Sequence, residues 1–187
     1  RFPTGRKLTR SDVTVETDII IQQGQFSKLP IIGNASDAEL VGRFSDSGTE
    51  LSGTAILFGA PVDFVITEDR LKDKLVFHAN APKAEGLATL MASTTGLDMK
   101  GSLGGNIMLV TGSALSDSEI ELGLDLTYTS IDIPSIGWAK LPAEPGRASM
   151  RLVLKDGVPL AIEDIDIEVG SLAMVGRAGF AASKGNG

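Results

Sequence analysis

The most constraining feature of the sequence is the alternation of apolar and polar residues between Glu119 and Tyr128. In an extended strand, successive side chains point to opposite faces, so a period of two places every second residue on the same face. The apolar set in this segment is Ile120, Leu122, Leu124, Leu126 and Tyr128. Similar alternation recurs along much of the chain. We therefore expect a sheet with one strongly apolar face.

The spacing of turns predicts the fold class. Glycine occurs 22 times and separates short apolar stretches, as turns between strands do. Lys100–Thr111 and Ser118–Ser130 are each expected to form one strand, among roughly ten strands in total. Leu87, Leu90 and Met91 follow helical spacing, with Pro82 near the start of the helix and Gly96 just past its end. The prediction is a mainly β chain: a large antiparallel, meandering, curved sheet, forming an open groove or a partly closed barrel, with one short helix near residues 83–95.

No polar linker divides the chain, so we expect residues 1–187 to form a single β-rich domain. The sequence begins at Arg1 rather than Met and shows no signal peptide, which favours an excised piece of a longer protein or a processed product. No apolar run approaches the roughly 18 residues that a membrane-spanning helix needs. An anchor or an export signal is therefore expected outside these residues.

Charge and composition limit the partners. The formal net charge is −7 and the sequence pI is about 4.7, which argues against nucleic acid and against docking on anionic lipid headgroups. Acyl chains remain possible, because they are recognised through burial of apolar surface. The chain has no cysteine, and therefore no disulfide, thiol nucleophile or thiolate metal site, and this leaves its compartment open.

Residues suited to catalysis or metal binding are scarce. His78 is the only histidine, which excludes a site with several histidines, and we interpret it as a satisfied or exposed residue of a strand. Asp164, Asp166 and Glu168 would lie on one face at intervals of roughly 6.6 Å. A calcium site is conceivable there, but a solvated polar face explains the pattern better. We therefore expect no enzyme activity, no cofactor and no metal.

Three further motifs have ordinary structural explanations. Gly101–Gly105 matches no phosphate-binding pattern and is expected to form a turn or bulge between strands. Asn34 begins a formal glycosylation triplet of a kind that is common by chance. Trp138, the single tryptophan, follows a glycine and is expected to cap the end of the core rather than to bind a ligand.

The apolar face leaves two possibilities open. Each exposed side chain of leucine size would leave roughly 1.5–3 kcal/mol of burial unrealised, and one short helix cannot cover about ten strands. Either the sheet closes on itself, or an acyl chain or a partner covers its inner face.

One segment carries a family resemblance. Asp125–Lys140, with Ile133-Pro134 and then Gly137-Trp138-Ala139-Lys140, resembles the C-terminal regions of AsmA-like bacterial envelope proteins of the YhdP and TamB type. The succession of strands and turns that follows, with Asp156–Pro159 as one turn, is also similar to that family. The resemblance extends over the whole chain, although the chain lacks the N-terminal membrane helix and much of the length of the family.

This resemblance implies a periplasmic segment of a parent protein that is anchored in the inner membrane. It also implies an apolar groove that takes part in phospholipid transport between membranes and in outer-membrane integrity. The partners would then be a phospholipid or another acyl-chain lipid and the remainder of the parent chain. The candidate groove-lining residues are Ile120, Leu122, Leu124, Leu126, Tyr128, Met150, Leu152, Leu154, Ile165 and Ile167. The alternative is a structural or interaction module without ligand, which pairs through its edge strands with the rest of a longer chain.

Overall fold

The computed structural model describes residues 14–29, 33–57, 59–95, 97–112 and 117–180. Ten of its strands form one large sheet: β1 (Glu16–Leu29), β2 (Gly33–Ser45), β3 (Gly48–Leu57), β4 (Ala60–Asp69), β5 (Lys74–Ala84), β7 (Leu103–Thr111), β8 (Asp117–Asp125), β11 (Gly146–Lys155), β12 (Val158–Val169) and β13 (Leu172–Gly179). A small sheet contains β6 (Asp98–Gly101), β9 (Thr129–Ile133) and β10 (Trp138–Lys140). Helix α1 spans Glu85–Thr95, and a 3-10 helix spans Pro134–Ile136.

The large sheet is an antiparallel meander. Its order is β1-β2-β3-β4-β5-β7-β8-β11-β12-β13, so the chain leaves it only to build α1 and β6 and, later, β9 and β10. The sheet is not closed into a barrel, and β1 and β13 are its two edges. The fold class predicted from the sequence is therefore confirmed, with an open rather than a closed sheet.

One face of the large sheet carries the main apolar core. In register across neighbouring strands lie Phe77, Leu109, Ile120 and Leu152, and we call this side the inner face. Its buried residues form a continuous cluster from Ala35 on β2 to Leu154 on β11. Every member of that cluster belongs to the large sheet.

Helix α1 and the small sheet cover one end of the inner face. Ala88 of α1, Met99 of β6 and Ile131 of β9 form a second buried cluster with Leu103 and Leu124 of the large sheet. Trp138 is half-buried against this cluster, which confirms its expected role at the end of the core.

Bulges accompany three irregularities in strand register. Gln23, Asp37 and Asp164 have φ values of 53°, 50° and 52°, and each lies where the register with a neighbouring strand shifts. A bulge adds one residue to one strand and increases its local bend and twist. Each of these three positions is therefore a point of increased bend and twist in its strand.

Three predicted element boundaries were wrong. Pro82 belongs to β5 and α1 begins only at Glu85, because the strand continues its pairing with β7 as far as Ala84. The strand expected over 118–130 ends at Asp125. The strand expected over 100–111 divides at Ser102, since Gly101 has a φ of 107° and redirects the chain from the small sheet to the large one. Gly96 lies outside the described residues.

Candidate functional site

An apolar cavity of about 120 Å³ lies at the inner face, beside helix α1. Strands β3, β4, β5, β7 and β8 and the helix all contribute to its wall. The lining residues are Leu57, Ala60, Val62, Phe77, Ala79, Ala81, Ala84, Leu87, Gly105, Asn106, Ile107 and Leu122. All but Asn106 are apolar or glycine, so hydrocarbon is the chemistry that the cavity suits best.

The strand register and the residue sizes together create this space. Ala79 lies directly opposite Ile107, and Ala81 lies opposite Gly105. Small residues at three of these four positions leave room between the sheet and the Leu87 side chain of α1. A methyl group added at Gly105 would already come within 3.5 Å of Leu87 Cδ2. The helix therefore roofs the cavity over a patch where the sheet has little side-chain bulk.

Leu122 is the one candidate groove residue from the sequence analysis that lines this cavity. Leu122 pairs with Met150 on the neighbouring strand β11. On the next strand, β12, Ile165 follows the bulge, and it pairs with Gly176 on the edge strand β13. Leu122, Met150 and Ile165 are all half-buried. They form an apolar row, which we call the exit row, that leads from the cavity toward the open β13 edge.

The other candidate groove residues divide between the two clusters. Ile120 and Leu154 are buried in the large-sheet cluster, and Leu152 packs against it. Leu124 and Leu126 are buried in the second cluster, and Ile167 packs against that cluster. The structure thus uses these six residues as core and brings none of them to the cavity wall.

The placement of Tyr128 on the apolar face was wrong. Asp125 Oδ1 accepts a hydrogen bond from the Thr127 amide at 2.9 Å, and this turn ends the strand before Tyr128 is reached. The tyrosine ring is exposed, and Lys83 Nζ lies 4.9 Å from its centroid. The alternation in burial therefore ends with Leu126, although the apolar spacing continues in the sequence.

Sequence reasoning missed the residues that build most of the cavity. Val62, Phe77 and Ile107 come from strands whose alternation was recognised, but nothing in that pattern shows which strands face α1. Leu87 gave a usable signal, because its helical spacing with Met91 marked the face that contacts the sheet.

The candidate polar sites are explained by ordinary contacts. His78 is exposed on the outer face, the side opposite the inner face, between Val65 and Met108, as expected of a strand histidine. Asp164 Oδ2 lies 2.8 Å from Arg151 Nη2, and Glu168 Oε2 lies 3.0 Å from Arg147 Nη2. The acidic row thus faces arginines, and the described residues contain no group of three or more ligands placed to hold a metal ion.

The outer face also has a polar groove of about 530 Å³. Asn80, Asn106, Gly123, Ser149 and Asp166 lie side by side across five strands and line it. Gly123 leaves the space that the Asn106 side-chain oxygen occupies. The sheet is therefore apolar on its inner face and hydrophilic on its outer face at the same strand positions.

Lys140 is an unexpected buried cation next to the second cluster. Its side chain is 1% exposed, and Nζ donates hydrogen bonds to the carbonyl oxygens of Thr129, Leu141 and Thr127 at 2.9, 3.0 and 3.3 Å. Burial lowers the pKa of Lys140 below 10.5, against the opposing attraction of Glu144 and Asp125. The lysine ties β10 to the turn after β8, a role that its position after Trp138 did not reveal.

Comparison with known proteins gives no relative. No family model matches the chain, and neither the curated proteins nor the solved structures contain a match. In the part of the chain that the structure describes, no helix combines the length and the apolar character needed to cross a membrane.

Proposed function

We propose that this chain is a lipid-accommodating β segment of a periplasmic AsmA-like envelope protein that serves phospholipid transport between membranes and outer-membrane integrity. The observation that supports this most directly is the apolar cavity of about 120 Å³ beside α1. It is somewhat smaller than the engineered cavity of about 150 Å³ that binds benzene. It would therefore hold a section of an acyl chain and not a whole lipid tail.

The rest of an acyl chain would follow the exit row. Leu122, Met150 and Ile165 lie side by side across β8, β11 and β12 and are only half-buried. Covering their exposed surface contributes about 25 cal/mol for each Å² of apolar area removed from water. The headgroup would remain in water above the inner face near β13, where Gly176 carries no side chain to cover the row and Met174 is exposed. The acidic chain thus takes the lipid by its apolar part.

Site-specific photocrosslinking tests this proposal. A benzophenone amino acid at Leu122 faces the cavity, whereas the same probe at the adjacent Glu121 is exposed on the outer face. After incubation with vesicles of the zwitterionic lipid phosphatidylcholine, the Leu122 probe is expected to capture phospholipid and the Glu121 probe is not. Equal capture at both positions, or capture at Glu121 alone, would contradict the proposal.

A matched pair of substitutions makes the test specific to the cavity. Ala79→Leu adds three carbon atoms inside the cavity, while His78→Leu places the same leucine side chain one residue away on the outer face. Capture by the Leu122 probe should fall at least several-fold with Ala79→Leu and stay unchanged with His78→Leu. If Ala79→Leu leaves capture unchanged, the lipid does not enter this cavity.

The second candidate function is a ligand-free structural module that pairs with the rest of a longer chain. It is favoured by the edges at β1 and β13, where no further described strand pairs, and by the dense burial of the remaining inner face. Native mass spectrometry after mild extraction separates the two functions. The structural module should carry no co-purified lipid, and the lipid-accommodating segment should carry phospholipid that Ala79→Leu removes.

A further inference from the structure

Within the described residues, β1 and β13 each pair with one strand only, and the unpaired edges they present are complementary to one another. Backbone groups of successive residues in a strand point alternately to its two sides. Ser45 and Gly48 close a two-residue turn and bond across β2 and β3, so the inner-face residues of β2 bond to β1. On β1, the backbone groups of Asp18 and Ile20 therefore point to the free edge.

The same argument applies at the other edge. Val169 and Leu172 close the two-residue turn between β12 and β13, and the Phe180 amide donates to the Leu160 carbonyl at 2.9 Å. Even-numbered residues of β13 therefore bond to β12, and Val175 and Arg177 point their backbone groups outward. At both edges the residues with free backbone groups carry their side chains on the outer face. An antiparallel β1–β13 contact between two copies would thus join the two sheets edge to edge, with both inner faces on the same side of the joined sheet.

One register satisfies the side chains as well. With Ile20 opposite Val175, two side chains that are 72% and 80% exposed cover each other. The same register places Asp18 opposite Arg177 on the outer face, and Ile21 opposite Met174 on the inner face. Shifting the register by two residues would lose these matches. In one direction the apolar Val175 would lie opposite the charged Asp18, and in the other direction Arg177 would lie opposite Ile20.

The charges favour unlike edges over like ones. Glu16 and Asp18 share the single guanidinium of Arg43, at 3.2 and 3.4 Å, so the beginning of β1 has one carboxylate in excess. Arg177 is exposed on β13, and no ion pair joins it to another described residue. Pairing β1 with β13 in the register above brings Arg177 to this acidic end of β1.

We infer that the partner of each free edge is a second copy of this chain, joined head to tail with β1 of one copy against β13 of the next. Such a heterologous contact leaves one free edge of each kind after every addition. Copies therefore add in a row with their inner faces continuous, and Gly176 of one copy lies beside Ile19 of the next. This association needs no bound lipid, so it stands or falls independently of the proposed function.

Two proline variants test the inference. Proline removes one amide donor, and at Val175 or Ile20 that donor points away from the rest of the sheet, so each variant blocks one edge and keeps the internal pairing. Wild-type protein without lipid should show a weight-average mass that rises with concentration in sedimentation equilibrium. Val175→Pro and Ile20→Pro should each remain monomeric at the same concentrations. Mixed in equal amounts they should form a one-to-one dimer and nothing larger, because each retains the edge that the other lacks.

The alternatives give different masses. A dimer of Val175→Pro alone would mean that β1 pairs with β1, and a dimer of Ile20→Pro alone would mean that β13 pairs with β13. Either result overturns the inference, as does a wild-type chain that stays monomeric throughout.

Charge reversal tests the same register without proline. Arg177→Asp should weaken association of the otherwise wild-type chain several-fold, and adding Asp18→Arg should restore it. Equal association of the wild-type chain and both charge variants would overturn the assigned register. These two charge variants also test the β1–β13 contact if a proline variant fails to fold.

Discussion

The ammonium group of Lys140 donates a hydrogen bond to the main-chain oxygen of Thr129 across 2.9 Å, and the side chains of both residues are almost completely buried. Two further carbonyl oxygens, of Leu141 and Thr127, accept from the same group. One side chain thus satisfies the carbonyl oxygens of Thr129 on β9, of Leu141 just after β10 and of Thr127 in the turn after β8. It replaces backbone pairing where the chain passes between the two sheets.

Lys140→Met should therefore destabilise the fold by about 2 kcal/mol, because it leaves buried carbonyl oxygens without a donor while keeping the side-chain length. The measurement is the free energy of unfolding in urea at pH 7. Lys100→Met is the matched control, since Lys100 is exposed and its ammonium group forms a surface ion pair with Asp98, and it should change stability by less than about 0.5 kcal/mol. Equal losses in the two variants would show that the Lys140 hydrogen bonds do not stabilise the fold.

The alternation of apolar residues predicted the sheet well because it is a local property. Ile120 and Leu152 face the core as their period required, and they lie directly opposite each other. The same rule failed at Tyr128, because the strand ends where the backbone amide of Thr127 donates a hydrogen bond to the carboxylate of Asp125. An aspartate two residues before a threonine is compatible with either outcome, so the sequence alone did not decide it.

The cavity was beyond sequence reasoning for a different reason. Its walls come from Leu57, Leu87 and Leu122, which the chain brings together through the curvature of the sheet. Bulges at Gln23, Asp37 and Asp164, none of which is a glycine, add bends to β1, β2 and β12. Aspartate adopts a positive φ more often than most residues, but only in a small minority of cases, so residue type alone did not locate these bends.

Acid should weaken the hairpin that contains Glu68. Hydrogen bonds from Arg70 and from Thr49, at 3.1 and 2.9 Å, hold the pKa of Glu68 below its usual 4.5. Because the unfolded chain then binds a proton more readily, this stabilisation is complete above pH 4.5 and is lost as the pH falls through the lower pKa of the folded state.

Glu68→Gln should accordingly be less stable than wild type by about 1 kcal/mol at pH 7, and the difference should shrink at pH 3.5. Urea unfolding at both pH values measures it. Glu50→Gln changes an exposed carboxylate at a cross-strand neighbour of Thr67 and serves as the control. A difference that grows toward low pH would contradict the assigned direction.

Gly42 is required by the close approach of β2 and β3. A β-carbon at this position would collide with the main-chain oxygen of Glu50 and would lie 2.8 Å from Leu51 Cα. Gly42→Ala should therefore lower the free energy of unfolding by about 2 kcal/mol, since the strand backbones must separate.

Gly176→Ala provides the comparison for Gly42→Ala, because a β-carbon there meets no atom within 4 Å. This substitution should be neutral or should raise stability by up to about 0.5–1 kcal/mol through the lower flexibility of alanine in a strand. Chemical denaturation of the two variants side by side measures both effects. Similar losses in both would mean that the cost lies in replacing a strand glycine and not in the β2–β3 contact.

Filling the cavity should be tolerated where filling the adjoining core is not. Ala79 and Ala55 are both buried residues of the inner face, 3% and 2% exposed, but only Ala79 lines the cavity. Ala79→Leu places its extra carbon atoms in empty space and should leave stability unchanged or raise it by about 1 kcal/mol. Ala55→Leu should lower it by about 1–3 kcal/mol, because the side chain enters packed core. Thermal and urea unfolding of both variants decide the point. A larger loss for Ala79→Leu than for Ala55→Leu would mean that the space beside α1 is already filled in solution, and an acyl chain could not enter it.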